Sequence, residues 1–173
     1  MVEQYYAPLY KFGYSLSRKE SDAVDLTQQT FLTWAAKGHQ LRNTANVKTW
    51  LFTTLYRLFL ADKRRAAHFV ESDDETEFVD EPLHFSPSMA NAVDAEIVQK
   101  ALHALDDRLR APVTLFYMQQ HSYREIAEIL DIPIGTVMSR ISRGKAEMRK
   151  SLGEVIAAQH RKIIPLSDGG QNG

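Results

Sequence analysis

The sequence predicts an all-α protein built as two small helical domains joined by a flexible acidic linker. Three observations carry that prediction. Apolar residues recur at three- and four-residue spacing through residues 5–65 and again from 93 onward. No segment offers the alternation or the short β-branched runs of a strand. The charge is segregated: Lys and Arg against Asp and Glu give +5 over residues 1–65, −9 over 66–96 and +3 over 97–173, all concealed in a net charge of −1. Two basic blocks around an acidic one suit two polyanion-binding modules on an acidic strap, or equally a solvated linker whose sign is incidental.

In the first block, residues 5–16 place apolar side chains at 5, 6, 9, 10, 12 and 16, roughly one helical face. "SRKESD" interrupts it, and Ser21 or Asp22 is expected to cap a second helix over 23–37. Val24, Phe31 and Ala35 share that helix's inward face, while Asp25, Gln28 and Gln29 point elsewhere. "KGHQLRNTAN" has turn chemistry and reads as a loop. A third helix is expected over 47–65, with a Leu51, Leu55, Leu58 stripe joined by Trp50, Phe52, Tyr56 and Phe59 and a basic end of Lys63, Arg64 and Arg65.

Residues 66–90 break the pattern. "ESDDETEFVDE" holds seven acidic residues in eleven and "PLHFSPS" two prolines, the composition of a linker. Helices resume near Val93, where Ile97, Ala101, Leu102 and Leu105 form a stripe that "DDR" ends. Pro112 fits the first turn of a helix running to about Gln119. Ser122 and Glu125 have capping-box spacing at the head of a helix that ends near Leu130. "DIP" is a turn, and a last helix runs from about Ile134 towards Ala158. The tail "PLSDGGQNG" has the composition of a disordered end. The expected divisions are 1–66, an acidic linker over 67–92, 93–153, and a partly disordered extension over 154–173.

Composition removes several functional classes. With no cysteine there is no disulfide, thiolate zinc site or cysteine nucleophile. The six histidines lack metal-ligand spacing, so neither a metal nor a cofactor is expected. "MVEQYYAPLYKF" lacks the basic start and apolar stretch of a signal peptide, and no apolar run approaches the roughly 18 residues of a membrane span. A soluble, cytoplasmic protein without membrane insertion is expected. Enzymatic strand transfer would need a carboxylate cluster or a nucleophile; Asp22 and Asp25 share one helix but have no third acidic partner nearby.

The two short helices at 122–150 have the build of a DNA-binding helix–turn–helix. At about 100° per residue, Val137, Ile141 and Met148 form the inward seam of the last helix. Ser139, Ser142, Arg143, Ala146, Arg149 and Lys150 lie opposite, with Met138 on the flank. Small outward residues let a helix approach base edges, and Arg143 can pair bidentately with guanine. Arg140, Lys145 and Lys150 can reach phosphates, which give affinity without sequence information. Ile126, Ala127 and Leu130 face inward from the first helix, the small Ala127 permitting a close crossing. The helix over 47–65 is apolar on more than one face. Its surplus aromatics either stack unpaired bases beside the cations Lys63, Arg64 and Arg65, or pack the first three helices together. An ordinary helix–turn–helix regulator remains an alternative, with the first block binding a ligand or dimerising.

These stretches together resemble a known family. "DAVDLTQQTFLTWAA" at 22–36 is similar to the D-A-x-D-L-x-Q-x-x-F signature of bacterial sigma-70-type initiation factors, and "WLFTTLYRLFLADKRR" at 50–65 to the W-L helix that follows it. "SYREIAEILDIPIGTVMSRISRGKAEMRK" at 122–150 resembles their promoter-binding C-terminal domain. The spacing resembles the small extracytoplasmic-function (ECF) group, which keeps only regions 2 and 4. The resemblance implies an alternative, non-enzymatic sigma factor that takes RNA polymerase core to promoter DNA and helps open it. Asp25, Gln28 and Gln29 then fall at positions contacting the β′ clamp helices, and region 4 at the β flap. Residues 37–49 match the loop that captures a flipped-out −10 base, with His39 and Leu41 at pocket positions and Arg57, Lys63, Arg64 and Arg65 beside the strand; extruding a base costs a few kcal/mol. Met138, Ser139, Ser142 and Arg143 match −35 readers, with Tyr123, Thr136 and Lys145 near phosphates. The acidic linker would lie in the RNA-exit path, and an anti-sigma factor is a further partner the resemblance allows. Three departures stand out: Arg57 replaces the frequent Asn seven residues after the Trp, Met138 replaces a usual Lys or Arg, and residues 153–173 run past the usual end.

Overall fold

A computed structural model describes residues 1–69 and 89–163, and among these described residues there are seven α-helices. They are α1 (Val2–Ser17), α2 (Glu20–Lys37), α3 (Val47–Phe69), α4 (Met89–Ala104), α5 (Asp107–Val113), α6 (Tyr123–Leu130) and α7 (Ile134–Ile163). Short 3₁₀ turns, Gly38–Gln40 and Thr44–Asn46, occupy the loop before α3, and a π turn, Thr114–Met118, follows α5. Most of the acidic linker and the "PLSDGGQNG" tail lie outside the described residues.

α1 buries Leu9, Phe12 and Leu16, spaced three and four residues apart on one face. It ends where Arg18 turns left-handed (φ 61°) and donates its N–H to the Tyr14 carbonyl. Ser17 Oγ then bridges the corner by donating to the Lys19 carbonyl at 3.0 Å. The corner is tight enough that α2 opens at Glu20, with Lys19 as its N-cap, and neither Ser21 nor Asp22 caps it. The inward face of α2 also differs from expectation: Ala23, Leu26, Thr27 and Thr30 are buried, whereas Ala35 is exposed. The threonines can be buried because their hydroxyls donate to carbonyls one turn back, Thr27 to Ala23 and Thr30 to Leu26, each at 2.7 Å.

α3 carries the centre of the core, with Leu51, Phe52 and Leu55 fully buried. Each such side chain contributes about 1.5–3 kcal/mol on leaving water. The helix runs four residues beyond the basic cluster, and α4 starts four residues before Val93. Of the expected stripe, α4 buries Ala101 and Leu102, Leu105 is buried just past its end, and Ile97 is half-buried. The Asp106 side chain caps α5 by accepting from Arg108 N–H at 2.9 Å. Pro112 sits late in α5 rather than in its first turn, and the helix stops one residue later. The backbone then widens until Gln119 N–H reaches the Thr114 carbonyl, and Gln120 turns left-handed (φ 56°).

One apolar core runs through both halves. Leu9, Phe12, Leu26, Leu51, Phe52 and Leu55 pack in the same cluster as Leu115, Ile126, Ile129, Leu130, Val137 and Ile141. A smaller cluster, Leu102, Leu105, Leu109 and Val113, joins α4 to α5 and receives Met148 from α7. The second apolar face of α3 is therefore covered by α6, a use that neither base stacking nor packing among the first three helices describes.

Candidate nucleic-acid interface

The α6–turn–α7 unit is set by backbone chemistry before any packing. Ser122 Oγ accepts the Glu125 N–H at 3.2 Å, and the Glu125 carboxylate accepts the Ser122 N–H at 2.8 Å, a complete capping box. The Ser122 amide is what chiefly holds the Glu125 carboxyl below its ordinary pKa. Asp131 closes α6 in the left-handed region (φ 53°), and Pro133 opens α7 by accepting from Thr136 and Val137 N–H at 3.0 and 3.1 Å. Ile126, Ile129 and Leu130 then meet Val137 and Ile141, so one face of α7 is committed inward. Ile129 is a core residue the sequence reading left out.

The opposite face of α7 is free. Met138 is half exposed (50%), and Ser139, Ser142, Arg143, Lys145, Ala146, Arg149 and Lys150 are all exposed. Ser139 Oγ donates to the Thr136 carbonyl at 3.1 Å. Tyr123 stacks on Phe116 with ring centres 5.0 Å apart, and Thr136 is half-buried at the head of α7. Arg140 departs from this face: it is half-buried in the cleft between α7 and α3 with Tyr56, Phe59, Lys63 and Asp107. Burial raises the Tyr56 hydroxyl's pKa there, with Arg140 acting in the opposite sense.

In the first half, His39 is exposed on its 3₁₀ turn, while Leu41 is half-buried against the core. That turn lies directly on Trp34: a Cβ on Gly38 would come within 2.7 Å of the indole. Trp34 meets Trp50 edge to face at 5.2 Å. Arg57 and Arg64 are exposed. Arg65 pairs with Asp62 one turn back. Lys63 leaves the basic run to donate to Asp107 of α5 at 2.7 Å. That bond is the main reason the Asp107 carboxyl titrates below its ordinary value. Asp25, Gln28 and Gln29 are exposed along α2, and Leu32, 69% exposed, continues their row at helical spacing. An apolar residue seven positions after Asp25 and off the buried seam was the available signal for it.

Arg110 was missed altogether. It is 2% exposed, and its guanidinium donates to the carbonyls of Leu102, His103 and Leu105 and to Asp107. It thus closes the end of α4 and fixes the α4–α5 corner. Among the described residues no three His, Asp or Glu side chains gather as a metal site, and no helix is long and apolar enough to cross a membrane.

Comparison with known proteins bears on this arrangement. Residues 1–69 match the family model for sigma-70 region 2, and residues 95–148 that for sigma-70 region 4. The chain is 30% identical over 140 residues to the ECF RNA polymerase sigma factor EcfG of Rhodopseudomonas palustris, covering 81% of this chain and 76% of that one. It is 31% identical over 156 residues to SigE of Mycolicibacterium smegmatis, where 88% of this chain spans 60% of the longer relative. The sigma factor RpoE of Bartonella quintana, solved with the anti-sigma factor NepR, superposes with a TM-score of 0.77 at 30% identity, covering 88% of this chain and 94% of that one. A region 2 module ahead of a region 4 helix–turn–helix, in this order and at these identities, leaves one conclusion: the chain belongs to the extracytoplasmic-function group of the sigma-70 family, the subunits that direct RNA polymerase to promoters.

Proposed function

We propose that the exposed face of α7 reads the −35 element and that the loop before α3, with the basic end of α3, holds the −10 strand. The observation that carries this reading is the free row Met138, Ser139, Ser142, Arg143 on a helix whose other face is locked in the core. Arg143 reads a guanine, the small serines allow close approach, and Lys145, Tyr123 and Thr136 hold phosphates. Arg140 joins the phosphate contacts on leaving the α3 cleft. His39 and Leu41 border the pocket for an extruded base, and Arg57, Lys63, Arg64 and Arg65 neutralise the strand. Asp25, Gln28 and Gln29, extended by Leu32, form the contact to the β′ clamp helices, and region 4 the contact to the β flap.

The working divisions on this reading are 1–66 for region 2, 67–92 for the linker, 93–153 for region 4 and 154–173 for the extension. The protein acts in the cytoplasm as a polymerase subunit, without metal, cofactor or catalytic chemistry of its own. An anti-sigma factor of the kind bound to the Bartonella relative is a further partner.

The test is reconstitution with polymerase core and selection of promoters from a random library. Core-dependent transcription from a shared −35/−10 pair is expected. Specific duplex binding by the free protein at a palindrome, with no core-dependent transcription, would point to a simple repressor or activator instead.

A further inference from the structure

One straight stripe of α3, flanked by α1, makes the seam with region 4. Lys48, Phe52, Tyr56, Phe59 and Lys63 fall within about 80° of arc on the helix. Lys48 Nζ donates to the Gln119 carbonyl at 2.6 Å, and Lys63 Nζ to Asp107 at 2.7 Å. Two cations thus clasp region 4 at the ends of a stripe about 22 Å long. Between them, Phe52 meets the ring of His121 edge to face at 4.7 Å, and Tyr56 and Phe59 line a cleft with Leu130 and Arg140.

This closed form cannot serve both promoter elements. Elements centred about 25 base pairs apart lie about 85 Å apart along B-DNA at 3.4 Å per pair. Here both readers belong to one packed body whose longest helix, α7, is about 45 Å long. Promoter binding therefore requires region 4 to leave α3, and whatever weakens the seam favours the active form.

At the centre of that seam lies a group that no other part of the fold uses. His121 is 2% exposed, and neither ring nitrogen has a hydrogen-bond partner. The Glu125 carboxylate oxygen that accepts the Ser122 N–H lies 3.5 Å from Nδ1, a long contact that can pair with the ring only when the ring is protonated. The charged groups facing the ring are Lys48 from α3, which opposes a proton on it, and Glu125 from α6, which favours one. A neutral imidazole is tolerated against Phe52; an imidazolium there is a charge taken out of water and opposed by Lys48, which the Glu125 carboxylate offsets only in part.

We propose that His121 is a proton-sensitive key of the region 2–region 4 closure, so that acidification releases region 4 from α3. Burial first, and Lys48 second, push the pKa of His121 down to about 4 in the closed form, against an ordinary 6.5. A depressed histidine stabilises the closed form fully above about pH 6.5 and progressively less as pH falls towards 4. The ratio of open to closed molecules should rise about tenfold between pH 7.5 and 5.5. The inference takes its functional meaning from the sigma reading, but the distance it concerns exists without polymerase or DNA.

The chain has no cysteine, so a dye pair on Ala36→Cys in α2 and Glu147→Cys in α7 labels the two halves cleanly. Single-molecule energy transfer on the full-length protein, from pH 7.5 to 5.0, should show the high-transfer population giving way to a low-transfer one. His121→Phe and His121→Leu, which cannot titrate, should stay closed across that range. His103→Gln, altering the half-buried histidine against Tyr14 at the same seam, should open like the parent. A flat profile for the parent protein overturns the proposal, whatever the variants do. So does an unchanged opening profile in a folded His121 variant. Because no arm uses DNA, these results stand apart from the transcription test, whose failure would touch only the promoter-reading assignment.

Discussion

Lys63 of α3 donates to the Asp107 carboxylate at 2.7 Å, and the other oxygen of that carboxylate takes the buried Arg110 at 2.8 Å. One exposed acid thus joins the basic end of region 2 to the corner that holds region 4's first helices. Arg18 of α1 adds a longer contact at 3.9 Å.

Asp107→Asn should therefore loosen the seam. Lys63 and Asp107 are both more than half exposed, which limits their pair to at most about 1 kcal/mol. Arg110 keeps its three carbonyl acceptors, so the protein should still fold, with a Tm about 2–4 °C lower. The Asp107 carboxyl is held below its ordinary 3.8. Its contribution is complete above about pH 4 and fades only as pH falls further, so the variant and parent melting curves should converge only in strong acid. Melting curves at pH 7 and at pH 3 check both statements.

Gly144 is buried where α7 crosses α5, and a Cβ there would sit 2.3 Å from Val113 Cγ2. Gly144→Ala gains about 1 kcal/mol of helix propensity but forces two helices apart. Overpacking of this kind costs about 1–3 kcal/mol, so net destabilisation is expected. In urea denaturation, the double variant with Val113→Ala should recover part of the loss. Simple additivity of the two changes would show that the contact is not what makes Gly144 necessary.

The capping box gives a cleaner local test. Ser122→Ala removes the acceptor for Glu125 N–H while leaving the exposed face of α7 untouched. About 1 kcal/mol should be lost, read as a lower urea midpoint at an unchanged slope.

How much of this was legible beforehand follows from where each signal resides. Capping box, turn and amphipathic seam are local, so α6, α7 and their outward residues could be read from residues 122–150. The α1–α2 corner was misread because Ser21 and Asp22 are good caps in general, while Arg18 in a left-handed conformation had already turned the chain. Thr27 and Thr30 were not among the expected inward residues, because only the return of their hydroxyls to their own helix lets them be buried. Three features were not legible at all: Arg110 capping α4, His121 against Phe52, and Lys63 turned from the basic run to Asp107. Each depends on a partner from another helix, and Lys63–Asp107 spans 44 residues, so no window along the sequence contains it.

Arg143→Ala distinguishes reading from holding. Arg143 is exposed on the same free face as Met138 and Ser142, and a bidentate guanine contact would be worth about 1–3 kcal/mol at one base pair. In the reconstituted holoenzyme, promoter selection should then lose preference at a single −35 position and keep it elsewhere. Met138→Arg should add a guanine preference at a neighbouring pair. Because region 4 binds while region 2 and the polymerase hold the same DNA, the change should appear in sequence preference more than in total promoter occupancy. Uniform weakening across all sequences, with a reduced salt dependence, would instead make Arg143 a phosphate contact and leave Ser139 and Ser142 as the readers.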